Sequence, residues 1–551
     1  MTTKKPLSVF LLGLMGFYGF FAHGYLESTD ADHAMHAARA WWLRGDLGLQ
    51  VEGPDTWAAE RYIVAMPEAT RQGMTGENGK VYVQFPIGHQ ILMVPCVMLG
   101  ELFAHWFPEP EEALIREKGA VLGEFYWARF FASFLPAFSA AGSTLLIFLL
   151  AGVLGCAVRE ALMVTVAATL CTQFWPACSE TMSDQPGLFF LLLMIWLVFR
   201  YHAGTGAAGS ILCAGLAAGA AVLIRYQHLI PVLVICVMVV FSARRRQRGA
   251  DVLWLALGAL PLAAVFVAAN WLRFGNPLET GYSKGATGWF GYPLWLGGSL
   301  LLLAPGKGIL LFSPPLWLAL AQWFHRRLFE VPWLVAGLIF ALSVLIMGHS
   351  LGWAAGQCWG TRYLTPAVVI AVTFGLALGK PWRRRPRLFV AVCTIGFLVS
   401  LGGILSPYRG QQDLAFDAAR THYAQDLAEK KISENELADR VNVHPIYSPI
   451  HTHWIYAWLS ASGRLERGGS ANTTEPLFGI DVEVAEFLAV ADVIADQGED
   501  RGFRHWWMLY AALPWWFVLA WIAATAGALI WSMRQIFETG SSSGAKEPME
   551  P

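Results

Sequence analysis

The chain has 551 residues, 56% of them apolar and only 14% charged, with 39 basic against 40 acidic side chains. Soluble chains carry roughly 25% charged residues, and long apolar runs recur here from Leu7 to Met533, so a water-soluble globular protein is excluded. A formal net charge of −1 also argues against a large polyanion-binding surface, and so against a nucleic-acid partner. The composition is that of a polytopic, all-α membrane protein. Many of the 25 Trp and 34 Phe sit near segment ends, as interfacial belts require. Six of the eight Cys lie in apolar stretches without metal-like spacing, and neither a disulfide framework nor a zinc site follows.

Lys4 and Lys5 precede an apolar run from Leu7 to Tyr25, which reads as an uncleaved first span rather than a signal peptide. Lys and Arg clusters orient the rest. The strong marks are Arg244, Arg245, Arg246 and Arg248, then Arg326 and Arg327, then Lys380, Arg383, Arg384, Arg385 and Arg387. Arg159, Arg200 and Arg534 are weaker ones. With all of them in the cytoplasm, about twelve spans result, both termini inside: 7–26, 125–153, 161–176, 187–201, 207–225, 228–243, 251–270, 309–324, 330–348, 363–379, 388–406 and 507–533. Residues 86–106 would invert this order if they crossed. Pro86, Gly88 and Pro95 mark them as a broken, re-entrant or interfacial segment on the outer side.

Three outside segments are large: Glu27–Glu124, Asn270–Gly308 and Pro407–Trp506. The first is expected to carry juxtamembrane helices, and residues 407–506 to fold as a small periplasmic domain. The division is then a membrane module over 1–406, that domain, a last span over 507–534, and a Ser/Gly/Pro-rich disordered cytoplasmic tail over 535–551.

Chemistry concentrates at four places. The first is Glu27-Ser28-Thr29-Asp30-Ala31-Asp32-His33-Ala34-Met35-His36, just beyond the first span. Ser28 or Thr29 can cap a helix on which Asp30 and His33 share one face and Asp32 and His36 another. Carboxylates there can act as general bases; a cap with a solvated first turn accounts for the segment equally simply. Two His beside two Asp leave a divalent cation open as a cofactor, without a closed zinc pattern. The second place is the turn from Phe174 to Pro186, where a helical turn would align Glu180 with Asp184. The third and fourth hold basic residues on the outer side: Arg225 at a span end, and Lys307 and Arg362 in glycine-bearing loops. Cations at membrane depth are functional candidates, either as ion pairs or as holders of a lipid phosphate.

Taken together and in order, the stretches Ser28–Gly45, Tyr82–Gly100, Phe174–Arg200, Gly215–Arg225, Asn270–Gly281, Ala304–Pro315 and Gly352–Pro366 resemble the bacterial GT-C glycosyltransferase superfamily. The chain is similar to its aminoarabinose transferase and protein O-mannosyltransferase branches and to the broad RgtA/B/C/D-like group. Asp30 takes the position of the acid after the first span. Trp175-Pro176 and Ser183-Asp184-Gln185-Pro186 match the Trp-Pro and acidic turn. The Asn270 run, the Lys307 loop and the Trp-Gly-Thr-Arg-Tyr-Leu run ending at Leu364 match as well. The acid pair common in the family appears here as Asp30-Ala31-Asp32, and residues 407–506 lie outside the resemblance.

The resemblance implies an inverting sugar transfer from a polyprenyl-phosphate donor to an envelope lipid, polysaccharide or protein hydroxyl, on the periplasmic side of a bacterial inner membrane. Asp30 would be the base, with Asp184 and Asp32 orienting the acceptor, holding a cation or positioning Asp30. Lys307 and Arg362, with Arg225 behind them, would take the donor phosphate. Glu180 and His33 are candidate substrate contacts, and Trp353, Trp359 and Trp289 can stack on a sugar. A transporter or flippase is the rival from another class, which inverted repeats and midplane charges would favour. A polymerase or ligase using diphosphate-linked glycans is the second.

Overall fold

The structure, a computed structural model, describes residues 4–543 except 27, 53–55, 57, 67–72, 77, 119–123, 208, 243–247, 283–289, 324–329, 357, 406–407 and 462–514. Arg244, Arg245, Arg246, Arg326, Arg327, Trp289 and most of the second half of the 407–506 segment therefore lie outside the described residues.

Helix α1 (Lys4–Phe20) leads into α2 (Thr29–Arg44), α3 (Ala58–Ala65), α4 (Ile87–Trp106) and α5 (Glu109–Lys118). A bundle follows: α6 (Tyr126–Val153), α7 (Val158–Thr169), α8 (Asp184–His202), α9 (Gly209–Ile224), α10 (Leu229–Ser242), α11 (Arg248–Phe274), α12 (Leu294–Leu303), α13 (Ile309–Phe312), α14 (Pro315–Trp323), α15 (Val331–Gly348), α16 (Thr365–Gly379) and α17 (Pro386–Leu405). The described part of the 407–506 segment is α18 (Tyr408–His422), α19 (Ala424–Ala428), α20 (Glu434–Val443) and α21 (Pro449–Ala461), and α22 (Trp515–Ser543) comes last.

Among the described residues, eight helices are long and apolar enough to cross a membrane, and four apolar helices are shorter. In lipid the backbone must satisfy its own hydrogen bonds, which helices do within one segment. Small residues then let the helices close on each other. A Cβ on Gly215 would lie 2.0 Å from the Leu255 carbonyl oxygen, and one on Gly258 would lie 2.0 Å from that of Leu212, so α9 and α11 touch backbone to backbone. The first and last helices also pair, with Trp521 Nε1 donating to the Gly16 carbonyl at 3.0 Å.

Several expected spans differ. Residues 87–106 form one continuous 20-residue helix through Pro95 rather than a broken segment. The 161–176 span is only the twelve residues of α7. Beyond Thr169 the chain turns, because Phe174 and Trp175 bury in the core while Ser400 Oγ and Gln173 Nε2 satisfy the Thr172 and Thr361 carbonyls at 2.8 and 3.0 Å. The 309–324 span is split into α13 and α14 at Ser313-Pro314, where proline cannot continue the ladder. Leu294–Leu303, read as part of an outside segment, is an apolar helix. At the chain's end α22 runs through 535–543, where a disordered tail was expected; Ile536 is buried and Arg534 Nε bonds Glu538 Oε1 at 2.8 Å across one turn.

The first connecting segment also contains a small antiparallel sheet of β1 (Gly48–Leu49), β2 (Gly73–Thr75) and β3 (Val81–Val83) in the order β1-β3-β2, with Tyr82 paired to both Gly48 and Met74. It packs on Ala37 of α2 and Ile63 of α3. The third segment has a separate small core of Ala415, Ala419, Leu437, Val441, Tyr447 and Ile455.

The α9–α11 contact gives the first prediction. Gly258→Leu should destabilise the folded protein by about 1–3 kcal/mol or more, read as a lower unfolding midpoint in detergent. Gly152→Leu should leave that midpoint unchanged, because a Cβ there meets nothing within 4 Å among the described residues.

Candidate functional site

Helix α2 begins with Ser28 in extended conformation (φ −96, ψ 129), its Oγ accepting the Asp30 N–H at 3.2 Å. Two residues apart on a helix are about 200° apart around its axis, so Asp30 and Asp32 face different partners. Arg129 of α6 reaches Asp32 with Nε at 2.9 Å and Nη2 at 3.4 Å, and His36 Nε2 lies 3.5 Å from the same carboxylate. Burial pushes the Asp32 carboxyl up, but His36 and Arg129 outweigh it and hold it well below the usual carboxylate range. Ala31, Ala34 and Ala38 pack the remaining face against Met93 and Val97 of α4. Asp32 is thus the anchor that fixes the rotation of α2, and Asp30 is turned the other way.

Asp30 faces a cavity of about 880 Å³. Its Oδ2 lies 3.3 Å from Arg362 Nη2, which enters from the short 3-10 turn before α16. Arg225, at the end of α9, places Nη1 at 3.0 Å from Asp184 Oδ2 and 2.9 Å from Ser183 Oγ. The Tyr363 ring is within cation–π range of both guanidiniums, 5.4 Å from that of Arg225 and 5.5 Å from that of Arg362. Glu180, Thr181 and Ser183 add a polar wall, whereas Val222, Leu229, Ile230, Phe266, Ile346 and Met347 make much of the rest apolar. A lining with a few convergent charged groups and an apolar remainder is what an amphipathic ligand requires.

The predicted residues divide accordingly. Asp30, Glu180, Arg225 and Arg362 line the cavity, and Asp184 stands directly behind Arg225. Lys307 does not reach it. Its fully buried Nζ donates to the Gly356 and Cys358 carbonyls at 2.8 and 2.7 Å, and its own carbonyl accepts Thr361 Oγ1 at 2.8 Å. Lys307 braces the loop that delivers Arg362, and is corrected here from phosphate ligand to scaffold. Trp353 and Trp359 are each 1% exposed and lie in the core. Trp359 gives its backbone N–H to Glu180 Oε1 at 2.6 Å and packs its ring against Phe312 and His453. His33 of α2, 3% exposed, is buried and does not line the cavity, and burial pushes its imidazole down despite Asp32. Among the described residues no three His, Cys, Asp or Glu side chains form a group that could hold a metal ion.

His89, Tyr282, Tyr363 and Tyr408 are among the cavity residues not singled out from the sequence. His89-Gln90 is the first polar interruption in the apolar 86–106 run, a signal that averaging over the run conceals. The role of the Asn270 run was also hidden. Arg273, 2% exposed, gives Nη1 to the Val83 and Phe85 carbonyls, both at 3.1 Å, and Nη2 to Asn270 Oδ1 at 2.7 Å. It therefore fixes the chain that turns from β3 into α4 along the cavity wall.

Lys307→Met should lower the unfolding midpoint by the equivalent of about 1–3 kcal/mol, since the buried Cys358 carbonyl and that of Gly356 lose their donor. An unchanged midpoint would contradict the bracing role.

No family model matches the chain, and no curated protein matches it. Two solved structures are similar to it. One is ArnT from Cupriavidus metallidurans in the apo state, 13% identical, covering 96% of this chain and 75% of that one, with a TM-score of 0.43. The other is ArnT from the same organism bound to undecaprenyl phosphate, 13% identical, covering 100% of this chain and 82% of that one, with a TM-score of 0.44.

Proposed function

We propose that the chain is an inverting glycosyltransferase of the GT-C type. It moves a monosaccharide from a polyprenyl-phosphate donor to a hydroxyl of a cell-envelope acceptor at the periplasmic face of a bacterial inner membrane. One observation carries the reading: a single cavity joins the Asp30 carboxylate and the two guanidiniums of Arg225 and Arg362 to an apolar wall built from helices of membrane-spanning character. A lipid-phosphate sugar needs all three, and the ordered family-like motifs converge on the same residues.

In this reading the acceptor hydroxyl gives its proton to Asp30 while its oxygen bonds to the anomeric carbon. The bond from that carbon to the phosphate oxygen breaks on the opposite face, and its electron pair leaves with the polyprenyl phosphate. The charge that develops there is met by Arg225 and Arg362, held in place before the reaction by Asp184, Ser183 and Asp30 itself. Asp32 takes no part in the proton transfer. It positions Asp30 through Arg129.

Asp30→Asn should reduce transfer from a panel of mass-tagged polyprenyl-phosphate sugars by about 10²–10⁴-fold, the usual contribution of a general base, with the unfolding midpoint near that of wild type. Transfer at the wild-type rate would remove Asp30 from the mechanism. No turnover of any donor by wild type, supplied with a membrane extract as acceptor, would overturn the reading.

A further inference from the structure

The charges around the cavity are already matched. Its lining holds two permanent cations, and each has a carboxylate: Arg362 with Asp30 at 3.3 Å and Arg225 with Asp184 at 3.0 Å. Lys307, behind the wall, is spent on carbonyls. Glu180 adds one more acid to the lining. A sugar phosphodiester arrives with one negative charge, and the departing phosphomonoester carries up to two, its second ionisation lying near pH 6. Such an anion enters a cavity with no unmatched cation to receive it, and a buried unmatched charge is expensive.

One further group in the lining, an imidazole, can pass from neutral to cationic by taking up a proton. His89, 4% exposed, lines the cavity, and its imidazole forms no hydrogen bond among the described residues. Its location is set by Gly88, where a Cβ would lie 2.6 Å from the Leu223 carbonyl carbon and oxygen and 2.7 Å from Ile224 N. That backbone contact seats the first turn of α4 on the last turn of α9, one residue before Arg225. Burial opposes protonation of the imidazole, and of the charges that act on it Arg225 opposes protonation while Asp30 favours it. Of the other helices packed on α4, α6 brings Arg129, whose guanidinium is held by Asp32. Glu180, Tyr226, Tyr282, Arg362, Tyr363 and Tyr408 are the remaining titratable groups of the shared lining.

We propose that His89 takes up a proton as the donor phosphate binds, supplying the positive charge that the paired arginines do not, and that the imidazolium then hydrogen-bonds the phosphate as it leaves. This rests on the phosphate-sugar reading above. The sign follows from linkage: a group that must be protonated in the complex makes binding strongest at low pH and weaker as pH rises.

The test uses the full-length protein and farnesyl methyl phosphate, a prenyl phosphodiester with one fixed negative charge that does not itself titrate near neutrality. Binding heats at pH 7.5 in two buffers of different ionisation enthalpy count the protons taken up. Wild type should take up roughly half to one proton, with affinity falling by up to about tenfold per pH unit on the alkaline side. His89→Gln should bind more weakly at pH 6.5 and exchange no proton. His89→Lys, with a permanent charge, should bind without proton uptake or pH dependence and recover affinity at pH 8. Binding without proton uptake by wild type, or with the same uptake in His89→Gln, overturns the assignment to His89 and leaves the phosphate reading standing. Failure of wild type to bind either this probe or farnesyl phosphate overturns both.

Discussion

The rest of the site depends on how helix α2 is held. Asp32 is locked to Arg129, which leaves Asp30 no choice of direction: it points into the cavity and meets Arg362, a residue 332 positions further along the chain. A carboxylate from the first connecting segment and a guanidinium from beside α16 thus close one ion pair across the cavity. Under the proposed function the pair puts a proton acceptor and a phosphate-attracting cation at the same point. Neither would be useful there if α2 were free to rotate.

Buried cations away from the reacting groups do much of the construction. Arg273 ties α11 to the strand-to-helix turn at Val83 and Phe85. Lys307 holds the carbonyls of Gly356 and Cys358, and Glu180 holds the neighbouring Trp359 N–H, so the Arg362 loop is fastened on both sides. Each of these charges satisfies backbone groups that irregular chain inside a helical bundle would otherwise leave unpaired. The helices provide the walls, and such bonds set the loops that carry the chemistry. The 408–461 helices join this scheme through Ser448 Oγ, which donates to the Pro305 carbonyl at 2.6 Å, and through Tyr408 at the cavity edge.

Helical, polytopic architecture was legible in the sequence because lipid demands runs of about 20 apolar residues. The segment ends were less so. Hydropathy does not register that Ser313-Pro314 breaks a helix or that Pro95 is accommodated in one. Asp30, Arg225 and Arg362 stood out as charges at span ends, and they meet around one cavity. Lys307 stood out for the same reason but serves the backbone, and that outcome is decided by Gly356 and Cys358, about 50 residues away. The split between Asp30 and Asp32 was contained in their spacing, yet which acid would face the cavity required Arg129, a residue nothing local connects to α2. His89 was concealed by the apolar company it keeps.

The most direct test of the central claim is a structure of the protein with a non-transferable polyprenyl phosphonate sugar. The account predicts the phosphonate between the guanidiniums of Arg225 and Arg362, the prenyl chain along Val222, Leu229 and Phe266, and the anomeric carbon facing Asp30. A headgroup bound away from the two arginines, or a sugar on the far side of the cavity from Asp30, would contradict it.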